Sequence, residues 1–344
     1  MVPLFALGGA ALLATALLIW PTKRLAWRWN LVDQPAAAAH KSHRHPTPYG
    51  GGVAILLGVG VALLAGQYWL PGLFPRESLL LIGGGAILAL LGLWDDWRGL
   101  SPFPRFAVQF LVAGALVTLC PQYRLPLLAQ SPPLCAALSA IWLAAMANAF
   151  NFLDNMDGLS SGLAVIALLA LGIMNLWMGN AAAALLALTL GGASIGFLFY
   201  NFPPASIFMG DAGGLLLGFV AGGLSAQLSH CRPETSLCTA PLWVLLVPAY
   251  DLSSVVLIRL CRHLPPWRGD HNHLSHRLVR LGYSRRSAVL ILYVLTLTSG
   301  LIALLALNTE NPWFLLLLAL LALLGAGLEY AARGRLLQSP LPLP

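Results

Sequence analysis

Apolar runs of bilayer-spanning length recur about eleven times along the chain, separated by short turn-rich or charged breaks. They cover residues 3–21, 51–70, 79–95, 104–120, 134–150, 159–178, 181–200, 212–229, 240–259, 287–307 and 313–332. The pattern predicts an all-α polytopic integral membrane protein of ten or eleven transmembrane helices. One transmembrane domain accounts for residues 1–344, since no repeat, linker or low-complexity segment divides it. The opening run, Val2–Trp20, has no basic residue before it and Lys23 and Arg24 after it. That order fits an uncleaved first span with its N-terminus outside better than a cleaved signal peptide.

Composition sharpens the class. The chain is 58% hydrophobic and 9% charged, whereas soluble domains carry about 25% charged residues. No polar stretch is long enough for a separate soluble domain. The net charge of +7 does not point to nucleic acid, because the basic residues sort by loop. Only Arg76, Arg124 and Arg232 fall in loops after even-numbered spans, and the other basic residues fall after odd ones. Cytoplasmic loops hold the excess of Lys and Arg, so the expected topology is N-terminus outside and C-terminus cytoplasmic. The five cysteines form no Cys-x-x-Cys or zinc spacing. Cys231 and Cys238 bracket a loop expected outside, where a disulfide and two unpaired thiols are equal alternatives.

Polar clusters then fall on one side of this map. His40-Lys41-Ser42-His43 and Pro46-Thr47-Pro48 follow the first span, and Asp95-Asp96 the third. Asn151, Asp154 and Asp157 follow the fifth, Asn201-Phe202-Pro203-Pro204 and Gly210-Asp211-Ala212-Gly213 the seventh, and Asp270 through Arg277 the ninth. Ionised side chains are costly in the hydrocarbon, about 2.5–3.5 kcal/mol for an Asp at a helix centre on insertion scales. The acids therefore belong at a boundary or in a wet cavity. A single site built from five cytoplasmic loops is the economical reading.

Asp95, Asp96, Asp154, Asp157 and Asp211 suit a hard cation, Mg²⁺ or Mn²⁺, bound through one or two carboxylates with water and phosphate oxygens. Lys41, Arg277 and the histidines suit phosphate oxygens, and the Gly-Asp-Ala-Gly turn lets backbone approach a ligand. Carboxylates, a metal and cations together are the parts of phosphoryl transfer. At a membrane surface they suggest one lipid phosphate substrate and one water-soluble substrate. Ordinary readings stand beside these. Asp-Asp at a helix end is commonly a solvated terminus, and Asp154 and Asp157 would cap a helix starting near Leu159. His271, His273 and His276 leave a zinc site as an alternative, and Asp251 reads as a buried structural ion pair with Arg259.

Together the motifs resemble the polyprenyl-phosphate N-acetylhexosamine-1-phosphate transferases, the glycosyltransferase 4 family. The resemblance runs in order through Val32-Asp33-Gln34-Pro35 with the His40–His43 cluster, Asp95-Asp96 with Arg105 and Gln109, Asn151 to Leu159, Asn201 to Gly213, and His273-Leu274-Ser275-His276-Arg277-Leu278. It implies transfer of sugar-1-phosphate from a UDP-N-acetylhexosamine to a polyprenyl phosphate such as undecaprenyl phosphate, with release of UMP and a requirement for Mg²⁺. It places the enzyme in the bacterial plasma membrane with a cytoplasmic site, and leaves a homodimer open. By position, Asp211 and Asp154 would serve the metal. Asp95, Asp96, Lys41, Asp154 and Asp157 would be catalytic, and Asn151, Asn201, Arg105, His273, His276 and Arg277 would bind substrate.

Three positions depart from the usual pattern: Ser275 stands where a His is expected, Asn155 where a Gly is, and His40 where an Arg is. The consecutive histidines and Phe-Glu of the phospho-MurNAc-pentapeptide translocases are absent, which favours the GlcNAc-1-phosphate branch. That branch supplies the first lipid-linked sugar of envelope polysaccharides. A MurNAc-pentapeptide or another UDP-HexNAc donor remains the alternative. An ion-coupled transporter, the rival from another class, would need polar groups through the membrane midplane, and a lipid-binding scaffold would not need five carboxylates facing one spot.

Overall fold

The computed structural model describes residues 2–34, 46–126, 131–230, 238–308, 325 and 327. Helices α1 (Val2–Arg28), α2 (Gly51–Trp69), α3 (Arg76–Arg98), α4 (Pro102–Leu119), α5 (Pro132–Leu153), α6 (Leu159–Trp177), α7 (Ala181–Asn201) and α8 (Gly210–His230) realise the first eight predicted spans. The ninth is split into α9 (Ala240–Trp243) and α10 (Leu246–Cys261), followed by the short α11 (Leu274–Arg280) and by α12 (Arg285–Asn308), the tenth span. Among the described residues, nine helices are long and apolar enough to cross a membrane. The protein is thus an all-α, multi-pass membrane protein. The predicted eleventh span, the Lys41 cluster and Cys231 lie outside the described residues.

Span nine breaks because of Pro248. A proline ring collides with the carbonyl four residues earlier, which here belongs to Val244, and the helix interrupts at Val244–Leu245. Pro248 itself sits in the first turn of α10, where no intrahelical N–H is required of it. The only sheet among the described residues is the antiparallel pair β1 (Val32–Asp33) and β2 (Thr47–Pro48).

Helix α8 is the centre of the bundle. Its apolar window is 94% buried, against 22% for peripheral α1, and it packs on α2, α3, α5 and α6. Close approach depends on missing side chains, as membrane helix interfaces commonly do. A Cβ on Gly92 of α3 would lie 2.5 Å from backbone atoms of Asp211 and Ala212, and one on Gly52 of α2 would meet the backbone of Gly213. These contacts press the ends of α2 and α3 onto the first turn of α8.

The termini that carry the polar clusters meet at one end of the bundle. The amides of Gly51 and Gly52, opening α2, donate to the carbonyls of Phe208 and Met209 at 3.0 and 2.9 Å. Gly158, which precedes α6, donates to the side chain of Asn201 at the end of α7 at 3.0 Å. At the head of α12, Arg286 donates to the Pro203 carbonyl at 3.2 Å. The expected convergence of loops after odd spans is what the chain forms.

Candidate active site

Three carboxylates organise around the N-terminus of α8, whose first amides have no partners inside the helix. Asp211 N–H donates to Asp96 Oδ1 at 3.1 Å, with Ala212 N–H on the same carboxylate, while Gly210 N–H donates to Asp154. The positive end of the helix dipole favours these anions. Gly210 has φ 73° and its missing Cβ is where the Asp96 carboxylate sits, so glycine is required twice over. Asp95 and Asp96 lie inside the last turn of α3 rather than in a loop beyond it, and Asp96 is not a solvated terminus. It fixes where α8 begins.

Asp95 holds the turn into α4 through Leu100 N–H at 2.6 Å and forms an ion pair with Arg105. Arg105 also reaches Asp211 Oδ2 at 3.0 Å, and Asn151, in the last turn of α5, hydrogen-bonds the same Asp211 carboxylate. Arg105 and Asp211 stay partly open, with side chains 20% and 27% exposed. One turn deeper, Gln109 of α4 and Asn148 of α5 exchange amide hydrogen bonds at 2.6 and 3.5 Å. The pair locks the two helices beneath Arg105 and Asn151.

Beside this group opens a cavity of about 620 Å³. Asn151, Asp154, Asn155 and Asp157 of the α5–α6 turn line it as an acidic wall, and Asp270, His271, His273 and His276 after α10 as a histidine wall. Burial, then the charges of Asp211 and Asp157, push the Asp154 carboxyl up to about 7, against the pull of Gly210 N–H. Asp154 thus lies within reach of the charges of Asp211 and Asp157, and Arg105 pairs with Asp95 and Asp211. That donor set fits a divalent cation. Among the described residues no three His, Cys, Asp or Glu side chains close a metal site by themselves. Mg²⁺ commonly takes one or two carboxylates and completes its shell with water and substrate phosphates.

Asp157 accepts from Ala205 N–H at 2.9 Å, pinning the Pro203-Pro204 turn. The sequence reading gave Asp154 and Asp157 the capping of α6. The α6 N-cap is Gly158 and no side chain caps it; Asn201 holds that turn from α7, its Oδ1 accepting from Gly158 N–H and Ser161 Oγ while its Nδ2 donates to the Ile207 carbonyl. Asn201 lines the cavity with both ends of its amide engaged in the protein.

The histidine wall hangs from α10. Asp251 and Arg259 do not pair with each other. Eight residues separate them, about 12 Å along a helix at 1.5 Å per residue, and each turns to the following loop. Asp251, 0% exposed, accepts from Leu274 N–H at 2.6 Å and meets His273 Nδ1 at 2.8 Å. The carboxylate thus leaves His273 Nε2 for other contacts. Arg259, 1% exposed, binds Asp270 at 3.0 and 3.3 Å and lies over the Phe152 ring. Burial opposes charge on Asp270, but the Arg259 guanidinium and the Asn272 donors outweigh it and hold the carboxyl at about 2.

Arg277 donates to the Asn272 carbonyl and to Ser254 Oγ at 2.7 Å, tying α11 to α10. His276 is pushed down to about 4 by burial, then by His273, His271, Arg280 and Arg285. At neutral pH it is an uncharged imidazole, a hydrogen-bonding rather than an ionic contact.

Several cavity residues carried no role in the sequence reading. Tyr49 follows β2 and lines the cavity with Asp33; burial, then Asp33 and Asp96, raise its hydroxyl far above its ordinary range, so it stays a proton donor. Trp267 and Arg285 line the rim, Trp267 edge-on to Phe103 at 5.4 Å. No spacing rule marks them, although an Asp inside an apolar span, as at Asp251, is itself a signal.

Known proteins are similar to this chain in sequence. The profile of glycosyl transferase family 4 matches residues 78–229, a stretch containing the five carboxylates but not the histidine loop. The chain is 34% identical over 291 residues to a probable undecaprenyl-phosphate N-acetylglucosaminyl 1-phosphate transferase of Bacillus subtilis, covering 82% of this chain and 79% of that one. It is 33% identical over 304 residues to a decaprenyl-phosphate N-acetylglucosaminephosphotransferase of Mycolicibacterium smegmatis, with 78% and 74% covered. It is 28% identical over 324 residues to an undecaprenyl-phosphate alpha-N-acetylglucosaminyl 1-phosphate transferase of Yersinia pestis, with 89% and 86% covered.

Proposed function

Since the chain belongs to glycosyl transferase family 4, we propose that it transfers GlcNAc-1-phosphate from UDP-GlcNAc to a polyprenyl phosphate. The products are UMP and polyprenyl-diphosphate-GlcNAc, the starting lipid for an envelope polysaccharide. The observation that carries this reading is the cavity with an acidic wall and a histidine wall, adjoined by a partly open Arg105–Asp211 pair. Two phosphate-bearing substrates need two approaches to one reaction centre, and this arrangement supplies them. The relatives' names supply the substrates.

On this reading UDP-GlcNAc occupies the cavity and the lipid phosphate arrives from the membrane side at Arg105. Asp211 and Asp154 would hold Mg²⁺, or Mn²⁺ in its place, which when bound neutralises the diphosphate. Asn151 orients Asp211, and His273 and His276 contact the donor. Asp95 holds Arg105 ready for the acceptor phosphate, and Asp96 sets the α8 terminus on which Asp211 stands. Asp157 supports the turn that closes the cavity, Asn201 braces that turn, and Arg277 braces α11. Lys41 belongs to the same phosphate-binding set by its motif. Basic loops after odd spans support a cytoplasmic position for this end of the bundle, on the reading that the helices lie in a bacterial plasma membrane.

Chemistry favours a single displacement. An oxygen of the lipid phosphate attacks the donor's β-phosphorus, the new P–O bond forms, and the bond to the bridging oxygen breaks. UMP leaves with that electron pair. A phosphate monoester has a second pKa of about 6, so the nucleophile is already ionised at neutral pH and gains little from a covalent relay through Asp95 or Asp96.

The test is transfer of labelled sugar from UDP-GlcNAc to undecaprenyl phosphate by purified protein with Mg²⁺, beside UDP-GalNAc and UDP-MurNAc-pentapeptide. Equal amounts of UMP and labelled lipid, only when the lipid phosphate is present, are expected. Faster turnover of the pentapeptide donor would overturn the substrate assignment. A stoichiometric burst of UMP without lipid, with label on the protein, would overturn the single displacement.

A further inference from the structure

The acidic turn and the histidine loop are joined by a direct side-chain contact. Ser275 Oγ donates to Asn155 Oδ1 at 2.6 Å, across 120 residues of sequence. The Asn155 amide is held in that orientation from its other end, where Nδ2 donates to the Phe152 carbonyl at 2.7 Å. Ser275 is fully buried in the first turn of α11, two residues after His273 and one before His276. Asn155 lines the cavity directly after Asp154 and two residues before Asp157.

We infer that Asn155 and Ser275 form a clasp that fixes the distance between the two walls of the cavity and thereby positions the nucleoside-diphosphate sugar. A ligand spanning both walls must match their separation, and the clasp sets it with two short, oriented side chains. The inference rests on the cavity being the donor site.

Its test is a double-mutant cycle of Ser275→Ala and Asn155→Ala, with Ser275→Thr as the variant that keeps the hydroxyl. Each alanine variant is expected to raise donor KM about five- to tenfold, the worth of one buried hydrogen bond. Acceptor KM should stay unchanged, kcat within about twofold, and the double variant no worse than the poorer single one. Ser275→Thr should stay near wild type. Equilibrium binding of UDP-GlcNAc without lipid gives the same comparison apart from turnover, and thermal midpoints identify any variant that has not folded. Additive effects, equal shifts in donor and acceptor KM, or alanine variants with wild-type donor affinity would overturn the clasp. Wild-type protein that binds UDP-GlcNAc without transferring it would sink the proposed reaction and leave the clasp to be judged on binding alone.

Discussion

The two walls of the cavity are built by different means. The acidic wall stands on the end of α5, pressed onto α8 where glycine leaves no room: a Cβ on Gly214 would fall 2.7 Å from Asn151 Cα, and one on Gly218 would meet the Met146 carbonyl oxygen. The histidine wall is a loop and a short helix suspended from α10 by Asp251, Ser254 and Arg259. Packing of that density cannot shift by a fraction of an ångström without cost, whereas a hydrogen-bonded loop relaxes locally. The acidic wall is therefore suited to holding a reaction centre in place. The histidine wall is suited to contacting the donor, and substitutions should separate along that line.

The most severe loss should come from Asp211→Asn. It keeps side-chain volume and removes the charge facing Arg105 and the proposed metal, so turnover should fall about 100- to 1,000-fold with the thermal midpoint near wild type. Transfer across a Mg²⁺ titration checks it, and an unchanged metal dependence would take Asp211 out of the site. Gly92→Ala should come next. Its Cβ would sit 2.5 Å from the Asp211 backbone, so α3 and α8 must part, at about 1–3 kcal/mol of stability together with activity. A midpoint equal to wild type would show that this contact does not place Asp211 against α3.

Asp251→Asn probes the other wall. Asparagine still accepts from Leu274 N–H but meets His273 without charge, and charge-assisted hydrogen bonds exceed neutral ones by about 1 kcal/mol. Donor kcat/KM should drop about five- to tenfold while acceptor KM holds. A larger fall in acceptor than donor kinetics would break the division between the walls.

The smallest effect concerns acid. Asp270 titrates at about 2 in the folded protein against 3.8 otherwise. The folded state thus binds fewer protons than the unfolded one between these values. The pair with Arg259 stabilises fully above pH 4, and that contribution disappears as pH falls toward 2. Thermal midpoints of wild type should drop over that window, and Asp270→Asn should show a shallower drop. Parallel curves would mean that the loop does not depend on this pair.

What could be read from the sequence follows the same division. Asp95, Asp96, Asp154, Asp157 and Asp211 stood out because acids are rare in an apolar chain, and the helices containing or adjoining them were legible from run length. The break at Pro248 was available from the i−4 clash but is invisible to a hydropathy window. Asp251 was visible as an intramembrane acid, yet its partner was misjudged, because a single sequence shows neighbours along a helix and not the loop that folds back onto it. The α6 cap went to the nearest acids for the same reason, whereas the side chain that holds Gly158 N–H, Asn201, lies 43 residues away. Asn155 and Ser275 were each noticed as unusual, and nothing short of coordinates joined them.

The span between a buried acid and its partner also sets how long a growing chain must wait. At about 5–20 residues per second, His273 follows Asp251 within about 1–4 s of synthesis, the 22 residues between them amounting to one reversal of direction. Asp96 waits for the amide of Asp211, 115 residues later, or about 6–23 s. Asp96 sits in the last turn of its helix, where a nascent span can keep it in water, whereas Asp251 is the sixth residue of α10, ten residues before its C-terminal end. The acid that lipid would tolerate least is the one whose partner the ribosome delivers first.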